Sequence, residues 1–136
     1  MLFRGICLLC VFISSLTSGQ DVTPAQVKDV MDRVLKYLER ATPVGVIDGK
    51  TGQPITELSQ PRVDAMLVKS EYRIETHEWG LTYSAMLLAN AATKDPAYRD
   101  YVSQRMSFLA AAVPYFKKYH KSFPGEKAPL EIVFNP

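Results

Sequence analysis

Residues 76–119, THEWGLTYSAMLLANAATKDPAYRDYVSQRMSFLAAAVPYFKKY, hold two amphipathic helices and the turn that joins them. In the first, Leu81, Met86, Leu87 and the alanines make a nearly all-round apolar surface, which predicts a buried helix. The turn is Thr93-Lys94-Asp95-Pro96: Asp95 suits the cap of the following helix and Pro96 its first position, where a missing N–H costs nothing. In the second helix Tyr98, Tyr101, Val102, Arg105, Phe108, Leu109 and Ala112 recur at three-to-four-residue spacing, with Arg99, Asp100 and Gln104 off that stripe. Pro114 is expected to end it, because proline cannot continue the backbone ladder. The unit is an αα-hairpin with a buried inner helix and a half-exposed outer one, and the fold class is all-α.

Upstream, Asp21-Val22-Thr23-Pro24 is a helix start with Thr23 as cap and Pro24 at the first helical position. Val27, Val30, Met31, Val34 and Leu38 mark its apolar face, and it ends near Ala41, before Thr42-Pro43. Residues 44–72 differ. Asp48-Gly49-Lys50-Thr51-Gly52 is a turn between the apolar pairs Val46-Ile47 and Pro54-Ile55, which predicts a short hairpin or extended excursion. Ser59-Gln60-Pro61 is a second turn, and Val63–Leu67 is expected to add a helical turn. The stretch is too aliphatic for plain disorder and is expected to fold over the end of the helical core. Lys117, Lys118, His120 and Lys121 are expected to follow the last helix as a solvated end that complements its dipole. Leu130–Phe134 reads as an extended segment.

Residues 1–20, MLFRGICLLCVFISSLTSGQ, have the three parts of a secretory signal: basic Arg4, an apolar run from Gly5 to Leu16, and the small residues Ser15, Thr17, Ser18 and Gly19. The run is short of the roughly 20 residues that span a bilayer, so a cleaved signal and a secreted or periplasmic product are expected rather than stable membrane insertion. Both cysteines, Cys7 and Cys10, fall inside it, which leaves the mature part without a disulfide, thiol nucleophile or cysteine metal site. The formal charge of +2 falls to +1 without Arg4, and no nucleic-acid footprint is visible. The mature part, 21–136, is at most one domain.

The residues with chemical potential gather at Tyr72-Arg73-Ile74-Glu75-Thr76-His77-Glu78-Trp79-Gly80. Trp79 offers an apolar face of the kind sugars stack on, the helix dipole favours a charged Glu78, and Gly80 allows a ligand or backbone close approach. The simpler account is that Glu78 favours the helix start, His77 is a surface residue and Trp79 is core; without metal or triad spacing, the residues alone favour it.

RVLKYLERATP, DGKTGQPIT and HEWGLTYSAMLLANAATKDPAYRDYVSQRMSFLAAAVPYF, in that order, resemble the N-terminal part of the unsaturated rhamnogalacturonyl hydrolases, glycoside hydrolase family 105. The likeness covers nearly all of the mature chain; its most specific parts are E-W-G-L-T-Y at Glu78–Tyr83 and D-x-x-Y-x-x-Y at Asp95–Tyr101. It implies an (α/α)6 toroid, with inner helices of αα-hairpins around a central pocket. It also implies removal of unsaturated galacturonyl or glucuronyl residues from the non-reducing end of pectin or rhamnogalacturonan oligosaccharides. In that family an aspartate protonates the C4=C5 bond while water adds at C5, in place of two-carboxylate displacement at the anomeric carbon, with no metal or organic cofactor.

Carried onto this chain, the resemblance makes Glu78 the assisting acid, where the family more often has aspartate, and sets His77 and Trp79 at the pocket edge beside the oligosaccharide substrate. The family's principal aspartate follows a segment like Pro129–Phe134, and this sequence ends at Pro136. Twelve helices of about 11–12 residues with loops of about 4–6 need roughly 200 residues. The expectation is therefore an N-terminal fragment, poorly folded and inactive alone, with apolar surface uncovered at Leu81, Leu87, Leu88 and Trp79. The alternatives are a non-catalytic exported carbohydrate-binding or scaffold module, and another α/α-toroid family such as a uronic-acid lyase.

Overall fold

The computed structural model describes residues 21–135, so the segment read as a signal peptide lies outside the described residues. The element order is α1 (Pro24–Ala41), β1 (Val46–Asp48), β2 (Ala65–Leu67), α2 (His77–Thr93), α3 (Pro96–Ser122) and α4 (Glu131–Phe134). The chain is mostly helical, and among the described residues no helix is long and apolar enough to cross a membrane.

Two of the three long helices, α1 and α3, start at side-chain caps, and Thr76 at the start of α2 makes no such bond. Thr23 and Gln26 form a reciprocal capping box ahead of Pro24, and the Asp95 carboxylate accepts from Ala97 N ahead of Pro96. Between α2 and α3, Lys94 takes the left-handed conformation (φ 59°) and its N–H bonds Asn90 O, which closes the hairpin turn.

Burial within the hairpin reverses the expected roles. The 27-residue α3 is the central element, with Tyr98, Tyr101, Val102, Arg105, Ala112, Tyr115, Phe116 and Tyr119 buried along it. α2 buries only the stripe Trp79, Tyr83, Met86 and Ala89, while Leu81 is 72% and Leu88 70% exposed and Leu87 is exposed on the flank. An evenly apolar helix carries no record of which side meets a partner; here α3 takes one side and the other stays open.

α3 does not end at Pro114 but runs on to Ser122, so the lysines at 117, 118 and 121 and His120 lie in its last turns rather than beyond it. Pro114 and Ala110, whose carbonyl loses its N–H donor, both sit on the exposed side, where such an oxygen is open to solvent instead of buried without a partner. The lost bond and ring clash cost about 3 kcal/mol. Burying Tyr115, Phe116 and Tyr119 just beyond it contributes about 1.5–3 kcal/mol each, so packing carries the helix through.

α1 lies along α3 in the same direction, fixed by polar contacts at both ends. Near its start Lys28 Nζ reaches Asp32 and Asp95 at 2.9 Å, and Tyr98 OH donates to Asp32 at 2.6 Å. At its end Arg105 Nε donates to Thr42 Oγ1 (3.0 Å) and Nη2 to Thr42 O (2.9 Å). These clamps set the rotation of α1, so Leu35, Leu38 and Ala41 face the core; of the face read from the sequence, Leu38 is buried and Met31 packs on the core, while Val27, Val30 and Val34 are left exposed.

The excursion covers the C-terminal half of α3. Asp48–Gly52 does turn the chain, and Ile47 bridges Pro54. The main pairing of β1, however, is antiparallel with β2, Val46 opposite Leu67 and Asp48 opposite Ala65, so Val63–Leu67 holds a strand where a helical turn was expected. Pairing satisfies backbone groups that a single helical turn would leave open. Val46, Ile55 and Ala65 pack on Tyr115, Phe116 and Tyr119, whose hydroxyl donates to Val63 O at 2.8 Å. Ala128 and Leu130 join the same cluster, and Glu131–Phe134 is one helical turn rather than extended, started by Leu130 at φ 60°.

Candidate functional site

The run from Tyr72 to Gly80 crosses from the excursion into α2 and divides there. His77 and Glu78 occupy the first turn and face solvent, with side chains 87% and 66% exposed and His77 Nε2 3.3 Å from Glu78 Oε1. The Glu78 carboxyl is held below the ordinary glutamate range, first by its own backbone N–H, then by the Thr76 hydroxyl and the neighbouring His77. Such a group is an anion and a hydrogen-bond acceptor at neutral pH, not a reservoir of protons. Gly80 is exposed, and nothing lies within 4 Å of where a Cβ would sit, so the space above it is open.

Trp79 turns the other way. It is 8% exposed, belongs to the cluster of Leu35, Leu38, Ile74, Tyr83 and Met86, and its buried Nε1 has no hydrogen-bond partner. Its indole stacks on Tyr72 with centroids 5.2 Å apart and planes at 26°. The Tyr72 ring in turn meets Tyr37 edge-on, and their hydroxyls lie 2.7 Å apart, with Tyr37 OH also donating to Glu71 Oε2 at 2.9 Å. The structure thus brings His77 and Glu78 together at an open edge and places Trp79 behind Tyr72.

A cavity of about 720 Å³ is lined by Tyr72 but not by Trp79. Residues 67, 68 and 70–75 of the excursion line it on one side, residues 127–132 with Asn135 come from the C-terminal segment, and Phe108 of α3 also lines it. Tyr83 OH donates to Ile74 O at 3.1 Å and Ser70 Oγ to Ala41 O at 3.0 Å, which ties the first wall to α2 and to the end of α1. Within it the Glu75 side chain is only 7% exposed, and its Oε1 accepts from Arg73 Nε at 2.8 Å and forms an ion pair with Nη2 at 2.8 Å. Lys127, Glu131 and Asn135 come from the opposite wall; the sequence singled out Pro129–Phe134 only through the family resemblance and gave none of the three a place at a site, because only the return of the chain past α3 sets them against Tyr72 and Glu75. His77, Glu78 and Trp79 do not line the cavity. Among the described residues no group of three or more His, Cys, Asp and Glu side chains is arranged to hold a metal ion.

No protein-family model matches the sequence, and no curated protein is similar to it.

Proposed function

We propose that the chain is the N-terminal part of an (α/α)6-toroid glycoside hydrolase. On this reading the enzyme removes unsaturated galacturonyl or glucuronyl residues from the non-reducing end of pectin or rhamnogalacturonan oligosaccharides in a secreted or periplasmic setting. The observation that carries it is the α2–α3 hairpin whose α2 leaves Leu81, Leu87 and Leu88 uncovered. A hairpin in a ring presents such a side to its neighbours, whereas a free-standing module exposes that much contiguous apolar surface only at a cost in solubility. The motif residues that carry the family resemblance also have structural work: Asp95 caps α3 and meets Lys28, Tyr98 bonds Asp32, and the Tyr101 hydroxyl lies 3.1 Å from Thr42 Oγ1.

In the reaction a proton adds to C4, water adds to C5, and the C5 hemiketal opens to a ketone; the hemiacetal left at C1 expels the next sugar. Glu78, held as an anion, fits the orientation of water or a hydroxyl at the open edge, and another carboxyl delivers the proton. The low pKa and exposure of Glu78 favour, as a second reading, a carbohydrate-binding module without turnover.

The test is to read the coding sequence past the Pro136 codon, express the longest product, and follow the ultraviolet absorbance of an unsaturated oligogalacturonide. The expected result is loss of absorbance, slowed about tenfold or more by Glu78→Gln, with no loss for the 136-residue chain alone. A gain of absorbance on saturated pectin identifies a lyase. Unchanged absorbance with a saturable tryptophan fluorescence response leaves the binding module.

A further inference from the structure

The open side of α2 lies apart from the cavity, and its residues form a self-complementary pattern. No charged residue falls between Glu78 and Lys94. On this side Leu81 and Leu88 stand 72% and 70% exposed, with exposed Ser84 and Ala85 between them and exposed Ala91 and Ala92 beyond. The two leucines are seven residues apart, and the two small-residue steps repeat at the same interval. That interval is about two turns of helix, so large and small side chains alternate along one face.

One arrangement satisfies the whole pattern. With a second α2 laid antiparallel on this face, Leu81 of each copy meets Ala91 and Ala92 of the other, and Leu88 meets Ser84 and Ala85. Each large side chain then enters a gap left by small ones, as ridges enter grooves. The same register sets Glu78, whose side chain is 66% exposed, beside the exposed Lys94 at the far end of the other helix. A two-fold contact repeats every interaction, so opposite charges meet at both ends of the pair. A parallel pair sets Glu78 against Glu78 and Lys94 against Lys94, which repel. The face thus carries its own large residues, gaps and end charges, and a second copy supplies the complement to all three.

We infer that the open side of α2 is a self-association surface on which a second copy of the chain docks, α2 antiparallel to α2, to form a closed two-fold dimer. A helix of 17 residues is about 25 Å long. The contact therefore lies at the small end of specific interfaces, below about 1,200 Å² in all, and a dissociation constant on the order of 10 μM is expected. The inference concerns the 136-residue chain and does not rest on the hydrolase reading. A longer product that sets a further hairpin on α2 fills this face within one molecule, and its action on an unsaturated sugar is read by a chromophore rather than by mass.

Sedimentation velocity of the chain from about 1 to about 200 μM tests it, with circular dichroism of each variant to confirm the fold. A reversible monomer–dimer equilibrium that saturates at the dimer is expected. Leu88→Asp, at an exposed position, is expected to keep the fold and to weaken the dimer about tenfold or more. Glu78→Lys alone and Lys94→Glu alone each turn two attractions into two repulsions and are expected to weaken it about tenfold. The double exchange restores both attractions and is expected to return to within about threefold of the parent. A chain that stays monomeric throughout the range, or assembly that grows past the dimer without saturating, overturns the inference. So does an undiminished dimer in folded Leu88→Asp, or a double exchange that binds no tighter than the single variants. Should Leu88→Asp unfold, the charge exchange decides alone.

Discussion

Arg105 is 2% exposed and has no carboxylate against it among the described residues. All five of its N–H donors are used: Nε on Thr42 Oγ1, Nη1 on Tyr101 O and Gln104 Oε1, Nη2 on Glu39 O and Thr42 O. Two of these acceptors are the last carbonyls of α1, the negative end of its dipole, and the guanidinium carbon sits 3.7 Å from the Tyr101 ring centroid. Burial lowers its pKa from the ordinary arginine value, and the group still stays charged at neutral pH. Arg105→Ala is expected to cost about 3 kcal/mol by orphaning those oxygens, and Arg105→Lys about 1–2 kcal/mol, because an ammonium cannot reproduce the fork. Urea midpoints at unchanged slope measure both, and an Arg105→Ala midpoint equal to the parent's shows the guanidinium to be idle. The spacing of the α3 stripe already placed Arg105 inward. What it met there was invisible, because Thr42 is 63 residues away in sequence and has an ordinary helix-end identity.

At the scale of elements, the caps of α1 and α3 and the buried stripe of α3 were legible, and the faces of α1 and α2 were not. Thr23-Pro24 and Asp95-Pro96 start α1 and α3 through local bonds that sequence alone specifies. Which side of α2 is buried, the rotation of α1, and the β1–β2 pairing depend on partners far along the chain, and there a uniform apolar pattern or a short aliphatic run is ambiguous. Pro114 shows local propensity losing to packing, and the outcome is measurable. Pro114→Ala restores an N–H facing Ala110 O without touching the buried aromatics at 115, 116 and 119. It is expected to stabilise the chain by about 1–3 kcal/mol, raising the thermal midpoint by several degrees. A lower midpoint would mean that the ring makes contacts the helix needs.

For the molecule as a whole, the candidate site was half legible: residues 72–75 fell within the run singled out, but the wall at 127–135 that completes the cavity did not. The same long-range logic governs stability. The junction of Lys28, Asp32, Asp95 and Tyr98 joins the starts of α1 and α3, and its protonation states are linked to folding. Asp32 is held below the ordinary aspartate value by the Tyr98 hydroxyl and then Lys28, and Asp95 by Lys28 and then the Ala97 N–H. Their contribution is therefore present above the unfolded pKa and is lost as pH falls through the lower folded values. Burial, and then the bond to Asp32, push Tyr98 up to about 12, and the two carboxylates raise Lys28. These contributions are present below the unfolded values and are lost as pH rises through the folded ones. The thermal midpoint is accordingly expected to plateau between about pH 5 and 9 and to fall on both sides. Asp32→Asn removes a shared partner, so it is expected to flatten the acid limb and to bring the Tyr98 tyrosinate transition back toward 10, its ordinary value. Midpoints across pH and an ultraviolet tyrosinate titration of parent and variant read the two limbs separately. An acid limb as steep in Asp32→Asn as in the parent would remove Asp32 as a source of the pH dependence of folding.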